Sequence, residues 1–409
     1  MNAPQPQRPP DREWIAILAL TIIGAVLRLA GFGRLGLDHF DEGIYASAGA
    51  WSLSPGGLGG IDPGLIPYAP PAYPILVGLA YWLYAPVDRA AIAVSIVAGI
   101  AAVPLAGWLG RRTFGPGAGA AAAGLAAGSM AHVTFSRMAL TDATFLLAWL
   151  VAMAVGGRFL ERPGPWRAIA LGLAVGVAQL VKYNGWLAGA IVAATALLGP
   201  VVSADERPRS RLLRIFGWGA LAAVAAALVE WPWFRFVEAH GGYAALLEHQ
   251  RGYLDGLGKW PSNWLLQLRQ LVALGSGLTI LGPVLALLAL LGLAALTKRP
   301  LRGPVLGVLG LGIVSLTLYR ASTTWWLGAA LVVFLLGDRS PGVRLVGVWW
   351  AVSSILTPLY HPYARLWLPL EAAGWLLGGL VLASILRCAD AGESRPGRAR
   401  AVAVGLAIV

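Results

Sequence analysis

The chain has 409 residues, 58% of them hydrophobic and only 12% charged, with a formal net charge of +12. A water-soluble domain carries about 25% charged residues, so this chain lacks the polar surface to face water on all sides. Its Lys and Arg side chains fall in short loops between apolar runs, which argues against a nucleic-acid-binding face, and the single cysteine, Cys388, excludes an intrachain disulfide.

The N-terminal tail, 1–13, is polar and Pro-rich. The first apolar run, 14–31, has no small-residue cleavage site behind it and reads as a retained signal anchor. Further runs follow at 91–110, 117–135, 142–160, 168–183, 185–200, 212–230, 271–296, 303–319, 322–337, 343–360 and 366–386, long enough to cross a bilayer core. The expected fold class is therefore an all-α polytopic membrane protein: one transmembrane domain over 14–386 with about 12 spans. A basic cytoplasmic segment, 387–409, ends in an apolar stretch (401–409) that reads as the start of a further, truncated helix.

One apolar segment, 70–84, is short and opens with two prolines. If it stays out of the bilayer core, most of the 31 Lys and Arg residues lie in cytoplasmic loops; if it crosses, most of that charge moves outside. It is therefore expected to be an interfacial helix on the outer leaflet, with Tyr73, Tyr81, Trp82 and Tyr84 at headgroup depth. This topology makes two outer loops long. The first, 32–90, holds an acidic cluster and a Gly-rich stretch from Pro55 to Gly60. The second, 231–270, begins at the aromatic run Glu230 to Phe236 and contains His240, His249, Arg251, Lys259 and Trp260.

Four motifs on this outer side could carry chemistry. Asp38-His39-Phe40-Asp41-Glu42 follows the first span. A carboxylate there could take a proton from an acceptor hydroxyl or hold a divalent metal, and equally could cap a helix N-terminus. Arg137-Met138-Ala139-Leu140-Thr141-Asp142 joins two spans, where Asp142 or Thr141 as a helix cap and Arg137 snorkelling to the headgroups is the plainer account. Lys182-Tyr183-Asn184-Gly185 offers a cation for a phosphate, or a snorkelling lysine. Tyr360-His361-Pro362-Tyr363-Ala364-Arg365 offers a bidentate guanidinium and a phenol, or an aromatic-belt loop. No spacing resembles a zinc motif, which leaves His39, Asp41 and Glu42 as weak metal candidates. The spans hold almost no ionisable residue at mid-depth, Arg28, Lys182 and Glu371 lying nearest, which disfavours an ion-coupled transporter.

Laid out this way, residues 30–390 resemble the GT-C superfamily of lipid-dependent glycosyltransferases. They are most similar to the branch of dolichyl-phosphate-mannose protein mannosyltransferases and bacterial aminoarabinose transferases. Asp41-Glu42 resembles that family's acidic motif, 43–53 and 70–84 its two juxtamembrane helices, and Arg137 to Asp142 its Arg-x-x-Leu-Thr-Asp-like loop. Lys182 and Pro362-Tyr363-Ala364-Arg365 resemble its later basic motifs. The resemblance implies an inverting glycosyltransferase of the bacterial plasma membrane, acting at the outer face. It would move a hexosyl or pentosyl group from a polyprenyl-phosphate donor to an acceptor hydroxyl on a protein, lipid or glycan. Asp41 would be the base, Glu42 and Asp142 would orient base or acceptor, and Arg365, Lys182, Arg137 and Tyr363 would hold the donor phosphate. Aminoarabinose transferases usually carry a lysine before the proline of the second juxtamembrane helix. Here that stretch reads Tyr68-Ala69-Pro70-Pro71, so the donor sugar stays open. Two alternatives remain: a polymerase or ligase using a diphosphate-linked donor with a divalent metal, or a transporter or flippase of lipid-linked sugars.

Overall fold

A computed structural model describes residues 12–52, 61–198, 208–275, 281, 284–285, 288–289 and 340–390. Among these the chain is helical, with one isolated antiparallel bridge between Leu254 and Tyr360. Among the described residues six helices are long and apolar enough to cross a membrane, and four shorter apolar helices accompany them. The molecule is an integral membrane protein. Most of the span expected over 271–296, all of those over 303–319 and 322–337, the Gly-rich stretch from Pro55 to Gly60 and the segment 391–409 lie outside the described residues.

Helix α1 (Arg12–Leu29) buries a stripe of Ile17, Leu20, Gly24 and Arg28 at intervals of three and four, and leaves Leu18, Ile22 and Val26 exposed. Its first turn carries Glu13, which accepts from Arg111 at 3.0 Å near the end of α4 (Asp88–Phe114). Gly107 packs on Ile17, and Gly99 on Arg28. These contacts place α1 and α4 side by side and antiparallel, so the chain between them begins and ends at one end of the bundle. Helices α2 (Phe40–Ser52) and α3 (Ala72–Leu83) occupy that stretch. With 12 residues, α3 is only about 18 Å long, too short to cross. It buries Tyr73, Pro74, Val77 and Gly78 and exposes Ile75, Leu76, Leu79 and Trp82. Gly49 of α2 lies against Val77, where an added Cβ would come within 2.6 Å.

The run expected as one span over 117–135 is broken. Helix α5 (Ala118–Gly128) stops at Ser129, whose side chain accepts from the His132 amide and starts α6 (Met130–Ser136). Buried Arg28 meets the break: its guanidinium donates to the carbonyls of Ala126 and Ala127, each at 3.4 Å, and to that of Gly24 at 2.9 Å. It also bonds His132 Nδ1 at 2.8 Å. The last carbonyls of α5 thus acquire a donor that the helix itself cannot supply. The unbroken apolar composition of this stretch gave no sign of the interruption.

Next come α7 (Thr141–Glu161), α8 (Pro165–Val181), α9 (Trp186–Leu198) and α10 (Pro208–Ala239). They are followed by α11 (Gly242–Arg251), α12 (Trp260–Gly275), α13 (Pro341–Leu356) and α14 (Leu368–Asp390). Proline opens α8 and α13, where a missing amide hydrogen breaks no helical bond. Bare backbone makes the closest contacts. A Cβ on Gly119 of α5 would stand 2.6 Å from the Gly107 carbonyl of α4, and one on Gly172 of α8 would stand 2.2 Å from the Ala222 carbonyl of α10. Without a solvent-driven term between apolar helices in lipid, such close approach supplies the packing energy.

Candidate active site

Helix α2 opens with Asp41 and Glu42 in its first turn, where the helix dipole favours anions. The two carboxylates turn in different directions. Glu42 is 1% exposed and spends both oxygens on backbone: Oε2 accepts from the amides of Asp38 (3.0 Å) and His39 (2.8 Å), and Oε1 from that of Ala139 (2.6 Å). It therefore fastens the 137–142 loop to α2 through three backbone amides. Asp41 faces the other way, and its Oδ2 accepts from Arg365 Nη1 at 2.8 Å.

Asp142 sits in the first turn of α7. Its Oδ1 accepts from Lys182 Nζ at 2.5 Å, while Oδ2 is buried without a hydrogen-bond partner. Lys182 is the residue that ends α8. The two ion pairs form one group, because Arg365 lies in the field of both Asp142 and Asp41, and Lys182 does too. Four charges from four distant segments thus meet, with Arg365 and Lys182 side chains each 21% exposed. Tyr45, one turn after Asp41 and on the same helix face, stands in the same field and hydrogen-bonds Thr141. Burial, and then the Asp41 charge, pushes its phenol up, so it stays protonated. The guanidinium of Arg365 lies 5.4 Å from the Tyr363 ring centroid, which supports it from one side.

The arginine is held in place by the second long loop. His361 donates its amide to the Tyr253 carbonyl at 2.8 Å, and the Asp255 and Gly256 amides donate to Leu359. Asn263 of α12, 3% exposed, donates to Asp255 and to the carbonyls of Pro358 and Tyr360. Trp260 donates to the Ile355 carbonyl, and Trp367 bonds Gln267. Asp255 also takes Lys259 at 2.9 Å, and these hydrogen bonds hold its carboxyl below the usual range. Nothing in composition or spacing marks Asn263 or Tyr45, while Thr141 entered only as a helix cap and a member of the 137–142 motif; the i, i+4 relation of Tyr45 to Asp41 was the one signal available.

Arg137 does not join the cluster. Its Nη1 donates to the carbonyls of Leu27, Arg28 and Ala30, at 3.2, 3.3 and 2.5 Å, completing the C-terminal end of α1. It lines a separate cavity of about 400 Å³ with Leu27, Leu35, Asp38, Glu42 and Met130; none of Asp41, Asp142, Lys182 or Arg365 lines that cavity. The three weak metal candidates do not fit a metal. Glu42 already accepts three backbone amides, Asp41 Oδ2 is bonded to Arg365, and His39 Nδ1 accepts from the Asp41 amide at 3.1 Å. Among the described residues no three His, Cys, Asp or Glu side chains converge in the way a metal ion needs.

Residues 68–233 match the family model for dolichyl-phosphate-mannose-protein mannosyltransferase, a stretch that carries the 137–142 loop and Lys182 but not Asp41 or Arg365. It is less than half of the chain. By sequence, no curated protein matches. By structure, ArnT from Cupriavidus metallidurans bound to undecaprenyl phosphate is similar with a TM-score of 0.59 at 16% identity, covering 97% of this chain and 63% of that one. The archaeal oligosaccharyltransferase AglB from Archaeoglobus fulgidus, in complex with an inhibitory peptide and a dolichol-phosphate, gives 0.55 at 13% identity, covering 97% and 54%. The chain thus spans under two thirds of either protein. It shares their GT-C fold, and the resemblance read from the motifs holds at that level.

Proposed function

We propose that this GT-C fold carries an inverting glycosyltransferase, using a polyprenyl-phosphate sugar and working at the extracytoplasmic face. The observation that carries the reading is the four-charge cluster of Asp41, Asp142, Lys182 and Arg365. Two cations in one half-buried place suit an anionic phosphate, and two carboxylates beside them suit a hydroxyl nucleophile.

At rest each cation neutralises a carboxylate. An entering donor phosphate competes for both cations: Arg365 offers a planar fork for two phosphate oxygens, and Lys182 a point charge. That exchange frees Asp41. The acceptor hydroxyl then attacks the anomeric carbon and gives its proton to the Asp41 carboxylate, while the bond from that carbon to the phosphate oxygen breaks. The electron pair leaves with the polyprenyl phosphate, whose added negative charge falls between Arg365 and Lys182. A single displacement inverts the anomeric configuration. In this reading the unpartnered Oδ2 of Asp142 orients the acceptor, and Tyr363 supports Arg365. Glu42 positions the loop that bears Asp142. No step of this proposal uses a metal.

The test is to offer the purified protein a panel of polyprenyl-phosphate sugars and acceptors and to read new glycosidic bonds by NMR. Product of inverted configuration, with release of polyprenyl phosphate, is expected. Movement of lipid-linked sugar across proteoliposomes with no new bond from any donor refutes the proposal in favour of a flippase.

A further inference from the structure

The aromatic run at the end of α10 is not used by the mechanism above. Trp231, Phe234 and Tyr243 stack in one column, with centroids 5.7 and 5.3 Å apart. Trp233, Phe236 and His240 form a second column, at 5.1 and 4.4 Å. An aromatic belt residue faces lipid headgroups, as the 54% exposed Trp231 does; Trp233, at 1% exposed, does not. Glu230 opens this run and lies in the electrostatic range of Tyr183 and Tyr243; its Oε1 is buried with no hydrogen-bond partner. A carboxylate oxygen held away from water with no donor calls for one from elsewhere. Pro232, inside the same helix, also leaves the Leu228 carbonyl without its usual amide.

This group adjoins the charge cluster. Gly172 and Gly176 let α8 lie directly on α10, which brings Tyr183, the neighbour of Lys182, level with Trp233. Tyr183 donates to the Ile66 carbonyl at 2.7 Å, and the Trp233 indole faces its hydroxyl without closing a regular bond. Tyr183 stands in the electrostatic range of Glu230, Tyr243 and, on its other side, Tyr45. Burial, with Glu230 and Glu238 nearby, pushes the Tyr243 phenol up to about 12, so it remains a donor.

We infer that Glu230, framed by Trp233, Tyr183 and Tyr243, is a subsite for a sugar ring. The apolar C–H face of a pyranose stacks on an aromatic ring, and its vicinal hydroxyls donate to the open carboxylate oxygen. A mainly apolar recess with a few convergent polar groups is how small ligands are oriented. The choice of substrate class rests on the transferase reading. The ring can belong to the donor or to a glycan acceptor, and the experiment separates these.

The experiment is saturation-transfer NMR on the full chain in detergent, with methyl α-mannopyranoside, methyl β-glucopyranoside and N-acetylglucosamine as probes. Affinities for undecaprenyl phosphate and for its hexose-bearing form are measured alongside. If the subsite takes an acceptor glycan, one or more free glycosides bind, and Glu230→Ala weakens them about tenfold, Glu230→Gln less. If it takes the donor sugar, that loss appears only in the hexose-bearing lipid. In either case bare undecaprenyl phosphate binds wild type and variants alike. Equal binding of every probe to wild type, Glu230→Gln and Tyr243→Phe overturns the proposal, as does binding of tetramethylammonium by Glu230 in place of any neutral sugar. Should Glu230→Ala fail to fold, Glu230→Gln and Tyr243→Phe decide. Glycoside binding that depends on Glu230 in a protein that transfers nothing would refute the transferase and leave this subsite standing.

Discussion

Removing the charge of Asp41 should lower transfer and leave lipid-phosphate binding intact or improved. In Asp41→Asn the proton acceptor is lost, and general-base contributions run to about 10²–10⁴-fold in rate. Binding should move the other way. Arg365 is engaged by Asp41 through a charge-assisted bond of 2.8 Å, with side chains 21% and 14% exposed. Such bonds are worth about 1.5–3 kcal/mol when buried, and partial exposure trims this toward the lower figure. A donor phosphate must displace that bond in the wild type but not in Asp41→Asn. At about 1.4 kcal/mol per decade, the variant should bind undecaprenyl phosphate equally well or up to about tenfold more tightly. Calorimetry in detergent gives the affinity, and release of polyprenyl phosphate from labelled donor gives the rate. A variant that transfers normally, or that loses donor affinity together with rate, would refute the exchange of partners at Arg365.

Arg365→Ala should weaken undecaprenyl phosphate about tenfold or more, by the same calorimetry, while Arg137→Ala should leave that affinity unchanged and lower thermal stability. Gly172→Val should force α8 from α10 and cost about 1–3 kcal/mol, seen as a lower melting temperature in detergent. The Asp255 carboxyl is held below its unfolded value, so its bonds stabilise the 253–263 latch above the ordinary carboxylate range and are lost as pH falls through the lowered value. Proteolysis of that loop should accelerate on acidification, and Asp255→Asn should flatten the profile. Cysteine probes introduced at Asp62, before α3, and at Trp166, in a Cys388→Ser background, should label from opposite sides; labelling of both from one side would mean that α3 crosses.

How much of this was legible in the sequence depended on whether a feature repeats or is met only in three dimensions. Span positions followed from runs of apolar residues, because lipid imposes a length that shows in one dimension. The Arg and Lys distribution kept 70–84 out of the bilayer core, and the antiparallel contact of α1 with α4 requires the same. The motif residues Asp41, Asp142, Lys182 and Arg365 stood out as charges at the ends of apolar runs. What they do to one another did not. The same criterion selected Glu42 and Arg137, which the fold consumes in satisfying backbone amides and carbonyls. The break after Gly128 was hidden because its cap is a serine and its other donor, Arg28, comes from a different helix. Asn263 and Glu230 were invisible for a related reason: one matters through the three acceptors it gathers, the other through the partner it lacks.

Arg365 follows Asp41 by 324 positions in the chain. During synthesis the acidic half of the cluster and Lys182 are therefore complete long before the guanidinium emerges. Until Arg365 is made, Asp41 has no cation bonded to it, while Lys182 already has Asp142. The order of synthesis leaves the pairing of Asp41 to the last of the four segments.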